Sequence, residues 1–256
     1  MRDENEQYCR ERLGVANAHG EVADRLRELA PAPALPELLA RPLRQARYLV
    51  LDLETTGMRP DRARIIEIGA VEVDGFELGR EAASLIYPGS PVPPFIANLT
   101  GISTAMLLNQ PRLPEVLPIV ERMLRGRVLV CHNLSFDYAF LSCAWEQVLG
   151  RPLLAPSLCT VKLSRRVFPE LPSHNLDAIV SFFKLRATAR GVKARHRALG
   201  DARLTALALV KMCEKAEQEG MAATLGELIA FQSSRCRRRP RPAPALAPAA
   251  PPIKIA

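Results

Sequence analysis

The sequence has no apolar run close to the ~20 residues that a membrane-spanning helix needs. It opens on a polar stretch, Met1-Arg-Asp-Glu-Asn-Glu-Gln7, with no apolar signal core. These two absences exclude a membrane-spanning helical protein and lead to the expectation of a cytoplasmic location. It also has no Cys-x-x-Cys pair. Its cysteines, Cys9, Cys131, Cys143, Cys159, Cys213 and Cys236, are scattered, which argues against a zinc site or a disulfide framework. They read as buried apolar fillers. Acidic residues are in deficit, with 27 Asp and Glu against 35 Lys and Arg, a formal net charge of +8. That balance suits a polyanionic partner. Five arginines between positions 235 and 241 carry much of the excess, so the remainder of the chain is closer to neutral.

The 256 residues suffice for one sizeable core with appendages. Residues 1–46 read as an N-terminal helical extension. Apolar positions 22, 26 and 29 have helical spacing, prolines 31, 33 and 36 interrupt it, and a second short helix is expected over 36–43. From position 47 a strand begins, apolar through Leu49, Val50, Leu51 and Leu53. A strand over 65–73 follows, then the hairpin signal Asp74-Gly75 and a third strand over 81–87, which together make an antiparallel meander. Ser103 is expected to cap a short helix. A helix over 116–124 accommodates Pro118 only if that residue lies in the first turn. Residues 128–131 form a short buried strand that passes straight into a helix capped by Asn133 or Ser135, the start of a βαβ-type half. Helices over 159–168 and 175–183, a basic loop over 187–195, a long helix from about 196 to 217 and a short one over 225–231 complete the domain, taken as 47–232. Residues 233–256, rich in Arg, Pro and Ala, are expected to be disordered.

The chemistry lies where acids interrupt this pattern. Asp52 and Glu54 end the first strand two residues apart, so both carboxylates point to one face. Two anions side by side in a sheet are costly unless a cation offsets them. Asp137 falls at a helix start, where the helix dipole alone would stabilise a carboxylate by roughly 0.3–1 kcal/mol. Asp201, Thr205 and Ala208 share one helical face. His196, five residues before Asp201, reaches the same place only from a loop ahead of that helix. Four carboxylates suit hard ions such as Mg²⁺ or Mn²⁺, and two such ions about 3.5–4 Å apart stabilise both oxygens of an in-line displacement at phosphorus. A histidine at the rim is the side-chain type suited to taking a proton from water near neutral pH.

In order, Asp52-Leu-Glu-Thr-Thr-Gly57, His132-Asn-Leu-Ser-Phe-Asp137 and His196-Arg-Ala-Leu-Gly-Asp-Ala202 resemble the three motifs of the DEDDh-type 3′–5′ exonucleases. Over residues 47–217 the chain is similar to the epsilon (proofreading) subunit family of DNA polymerase III and its stand-alone relatives. The resemblance implies an α/β fold of the ribonuclease H-like type, a mixed sheet of about five strands flanked by helices. It implies that Asp52, Glu54, Asp137 and Asp201 hold two Mg²⁺ or Mn²⁺ ions, with Asp52 bridging them, and that His196 is the general base. Thr55, Thr56 and Met58 would hold the 3′-terminal nucleotide, although Met58 also reads as a flexible gap-filler. His132, Asn133 and Phe136 would contact sugar, phosphate or base. The sister branch carries a tyrosine four residues before the last aspartate; here that position is Arg197, which supports the histidine assignment.

The implied activity is metal-dependent hydrolysis of DNA from single-stranded or frayed 3′ ends, releasing nucleoside 5′-monophosphates in proofreading or repair. The implied partner, besides the nucleic acid, is a DNA polymerase catalytic subunit. Two departures bear on that partner: 46 residues precede the strand that leads into the first motif, and Gln232-Ser-Ser-Arg235 does not fit a clamp-binding peptide. An RNA-trimming enzyme of the same fold stays open, because the deciding contact is to the 2′-hydroxyl. A catalytically silent nucleic-acid-binding scaffold is disfavoured, since every acid and the histidine are present.

Overall fold

A computed structural model describes residues 33–186 and 196–234. The expected helix over 22–30, the basic loop over 187–195 and the arginine-rich tail from 235 lie outside the described residues. The sheet contains β1 (Arg47–Thr55), β2 (Ile65–Asp74), β3 (Glu77–Leu85), β4 (Val128–Cys131) and β5 (Ser157–Cys159), in the order β3-β2-β1-β4-β5. β1 runs antiparallel to β2 and β2 to β3; β4 runs parallel to both β1 and β5. This is the mixed five-stranded, helix-flanked sheet of the ribonuclease H-like type.

Alternation along β1 builds two cores. Tyr48 and Val50 join Val71 and Val73 under the long helix α8 (Ala198–Gln218). Leu49, Leu51 and Leu53 join Ile68 and Ala70 on the other face, under α4 (Leu113–Leu124) and α5 (Leu134–Leu149). α1 (Leu35–Leu39) carries Pro36 in its first turn, and Leu38, Leu43 and Ala46 are buried in the same core as Tyr48. Pro42 bridges Thr224, and the backbone N–H of Leu225 donates to the Arg41 carbonyl at 2.9 Å. The segment just ahead of β1 is thereby tied to α9 (Leu225–Ser233).

Several boundaries differ from expectation. β3 begins at Glu77 rather than at 81, because Asp74 pairs with Glu77 across a tight turn in which Gly75 takes a φ of 62°. Its first half is polar and largely exposed, so it offers no apolar signal. α2 (Pro94–Thr100) has no counterpart in the sequence reading, whereas Ser103 caps α3 (Thr104–Leu107) by accepting from the Met106 N–H. α4 starts at Leu113, which places Pro118 beyond the first turn. The buried face formed by Val116, Leu117, Val120 and Leu124 carries the helix across the missing N–H. Asn133 precedes α5 in a left-handed conformation with φ 64°, and neither it nor Ser135 caps the helix; the Ser135 hydroxyl donates to the Asn133 side chain instead. The three-residue β5 is too short to show a period. It leads into α6 (Thr160–Val167), and α7 (Leu176–Phe183) is capped by the Asn175 side chain.

At the end of β1 away from the acids, Arg127 is buried. It donates to Glu72 Oε2 at 3.0 Å and to the Tyr48 carbonyl at 3.4 Å, while Arg80 holds the same Glu72 through two bonds. Among the described residues no helix is long and apolar enough to cross a membrane.

Candidate active site

β1 reaches past its neighbour. β4 pairs with it only as far as Val50, so the C-terminal part of β1 emerges from the parallel half of the sheet. Its next residues on the α8 face, after Tyr48 and Val50, are Asp52 and Glu54. Across the antiparallel ladder, Asp52 stands opposite Gly69 and Glu54 opposite Glu67. Gly69 is what lets the helix come close. A Cβ there would lie 2.2 Å from the backbone of Ala198 and Leu199, a separation no side chain tolerates. α8 therefore starts directly on the β2 backbone, and its first turn delivers Asp201. Carboxylate oxygens of Asp52, Glu54 and Asp201 all lie within 4.8 Å of one another.

Asp137, buried on α5, stands outside that tight group but acts on it. Its carboxyl is pushed up to about 8, first by loss of water and also by Glu54, against the downward pull of its own N–H and that of Leu53. Asp52 is raised well above the ordinary carboxylate range. Burial is the largest cause, followed by the charges of Asp137, Asp201, Glu54 and Glu67. Carboxylates held this close resist ionising together unless positive charge joins them. The donor set is all oxygen and fits Mg²⁺ or Mn²⁺ rather than a softer ion.

His196 is exposed, immediately ahead of α8, with a φ of 60°. Its backbone N–H donates to Asp201 Oδ2 at 3.4 Å. His132, at the end of β4, is tied through Nδ1 to the Thr160 hydroxyl at 2.9 Å. Phe136 packs on Phe140 with ring centroids 5.1 Å apart, and Asn133 is exposed. Of the residues after the acid pair, Thr55 is buried and its hydroxyl donates to the Gly57 carbonyl at 2.6 Å, while the Thr56 hydroxyl accepts from the Arg64 N–H at 2.9 Å. Both hydroxyls thus shape the turn. Met58, four residues after Glu54, is 78% exposed.

Glu67, Gly69 and Thr160 were not singled out from sequence. Glu67 had a readable signal: it is an acid inside Ile65-Ile-Glu-Ile-Gly-Ala-Val71, a strand buried through Val73. A charge in such a run needs a partner. Gly69 carries no comparable signal beyond being a glycine inside a strand.

A family model described as Exonuclease matches residues 49–209. The DNA polymerase III subunit epsilon of Aquifex aeolicus is 38% identical over 168 residues, covering 66% of this chain and 81% of that protein. The PolC-type DNA polymerase III of Caldanaerobacter subterraneus is 34% identical over 177 residues; the match takes in 69% of this chain but 12% of that much longer one. Among solved structures, Exonuclease X in complex with 5′-overhanging duplex DNA superposes with a TM-score of 0.58 at 25% identity, covering 71% of this chain and 99% of its own.

Proposed function

The chain belongs to the exonuclease family whose model spans its residues 49–209, and on that premise we propose that it removes nucleotides one at a time from 3′ ends of DNA, with a divalent metal ion as cofactor. The observation that carries this reading is the meeting of Asp52, Glu54 and Asp201 within 4.8 Å, beside a buried Asp137.

In this proposal Asp52, Glu54, Asp137 and Asp201 hold two Mg²⁺ or Mn²⁺ ions. Bound there, the ions supply the positive charge that offsets the phosphodiester and the charge developing on its oxygens. Met58 lies against the terminal base or sugar. Thr55 and Thr56 contribute the shape of the turn beneath it. His132, Asn133 and Phe136 line the opposite side, from β4 and the start of α5. The imidazole of His196 takes a proton from the attacking water. The new bond joins water oxygen to phosphorus, the bond from phosphorus to the 3′-oxygen breaks, that oxygen takes a proton from solvent, and the products are a nucleoside 5′-monophosphate and a shortened strand with a free 3′-hydroxyl. DNA is favoured as substrate by the kinship with a polymerase III epsilon subunit, and a polymerase catalytic subunit is the partner this kinship suggests.

The test compares labelled linear single-stranded DNA, a closed single-stranded circle and linear RNA, each with Mg²⁺ or EDTA. Linear DNA should be shortened to mononucleotides from its 3′ end, the circle should survive, and EDTA should stop the reaction. Cleavage of the circle, or activity indifferent to EDTA, would overturn the reading; faster loss of RNA would transfer it to RNA.

A further inference from the structure

Outside the proposed ligands, one buried ionic contact reaches into the same site. Glu67 on β2 has a side chain only 4% exposed. It accepts from Arg197 Nε at 3.1 Å to each oxygen, from Arg197 Nη2 at 2.7 Å, and from the Ala198 N–H at 2.9 Å. The Ala198 N–H belongs to the open first turn of α8, where the N-cap residue, Arg197, supplies no capping side chain of its own. A carboxylate from a neighbouring strand thus does what a cap residue ordinarily does. The same carboxylate grips the guanidinium of the residue next to His196. Because Glu67 stands opposite Glu54 in the β1–β2 ladder, this contact connects the strand bearing two of the acids to the segment bearing His196.

We propose that Glu67, through the Arg197 guanidinium and the Ala198 N–H, is a positioning residue that sets His196 over the carboxylate cluster. The inference rests on the proposed role of His196 as the proton acceptor. Two features make the placement demanding. His196 is exposed, with a left-handed backbone, and its backbone N–H reaches Asp201 Oδ2 only at 3.4 Å. It also adjoins the strict close approach at Gly69, which fixes Ala198 but not the residue two positions earlier. The bidentate Arg197–Glu67 pair adds a second constraint to the His196 N–H contact with Asp201, since a planar fork on a carboxylate fixes orientation as well as distance.

The test uses Glu67→Gln and Arg197→Gln in the full chain. Turnover is measured on a 3′-labelled single-stranded oligonucleotide with Mg²⁺, beside melting curves with and without the ion. Each substitution should lower kcat by about 10–100-fold, as small displacements of a catalytic group do. KM should stay close to wild type, and Mg²⁺ should still raise the melting temperature of each variant. The deciding readout is a double-mutant cycle with His196→Ala. Once His196 is gone, Glu67→Gln should slow the enzyme less than twofold further. Multiplicative losses in the double mutant, or a loss of turnover that only tracks the folded fraction, would overturn the inference. Arg197→Gln, at a partly exposed position, carries the same test if Glu67→Gln fails to fold. A wild-type chain lacking 3′-exonuclease activity would instead overturn the proposed function, and His196→Ala with undiminished turnover would overturn the role of that histidine.

Discussion

At the residue scale, the four carboxylates and His196 are assigned different work, and their variants should separate. His196→Ala should leave folding and the Mg²⁺-induced rise in melting temperature nearly intact while slowing turnover by about 10²–10⁴-fold, the range for a lost general base. Activity should partly return as pH rises, because hydroxide replaces the missing acceptor. A mutant that keeps near wild-type turnover at neutral pH would remove His196 from the chemistry. The acids predict the opposite kind of behaviour. Asp52 is raised, and Asp137 is raised to about 8 from an ordinary 3.8, so the folded, metal-free protein binds protons more tightly than the unfolded chain. The stability tied to those protons is fully present below about pH 4 and is lost as pH climbs through the folded values. The metal-free melting temperature should therefore fall between about pH 5 and 8. Mg²⁺ should flatten the slope, and Asp137→Asn should reduce it. A flat metal-free curve would contradict the crowding of these acids.

At the element scale, the decisive contact is the start of α8 on the bare backbone of β2. Gly69→Ala should destabilise the protein by about 1–3 kcal/mol, as overpacking of a tight contact does, and should abolish the metal-induced stabilisation because Asp201 moves with the helix. Retention of the metal response in a folded Gly69→Ala protein would show that Asp201 reaches the cluster by another route. This is also where sequence and structure part company. Asp52 and Glu54 are legible because period-two alternation puts them on one face, and Asp137 and Asp201 because each sits in a motif at a helix start. The Glu67–Arg197 pair spans 130 positions, and no local period reports a partner so distant. β3 escaped in part because an edge strand need not be apolar, and β5 because three residues hold no period. Pro118 was misplaced because propensity describes an isolated helix, whereas packing under β1 decides this one.

At the scale of the whole molecule, the described residues include the span 49–209 that matches the exonuclease family, and residues outside those described carry much of the net positive charge. Removing residues 235–256 takes away the five arginines between 235 and 241. If they meet phosphates, the dependence of log affinity on log salt for single strands should become shallower by about 0.7 per lost contact. Titrations of the full and shortened chains across a salt series measure this, and equal slopes would show that the tail does not touch the strand.

The position of Asp201 has a consequence for synthesis. The acid pair is made before Asp201 and lies in the central strand, whereas the third member of the tight cluster follows Asp52 by 149 positions. Contacts between such distant parts of a chain form slowly, and chains grow at about 5–20 residues per second. A nascent chain therefore spends about 7–30 seconds with Asp52 and Glu54 translated but Asp201 still unmade. Throughout that interval the cluster is incomplete, and under the proposed function a ribosome-held fragment is kept from degrading nucleic acid by the order in which its parts arrive.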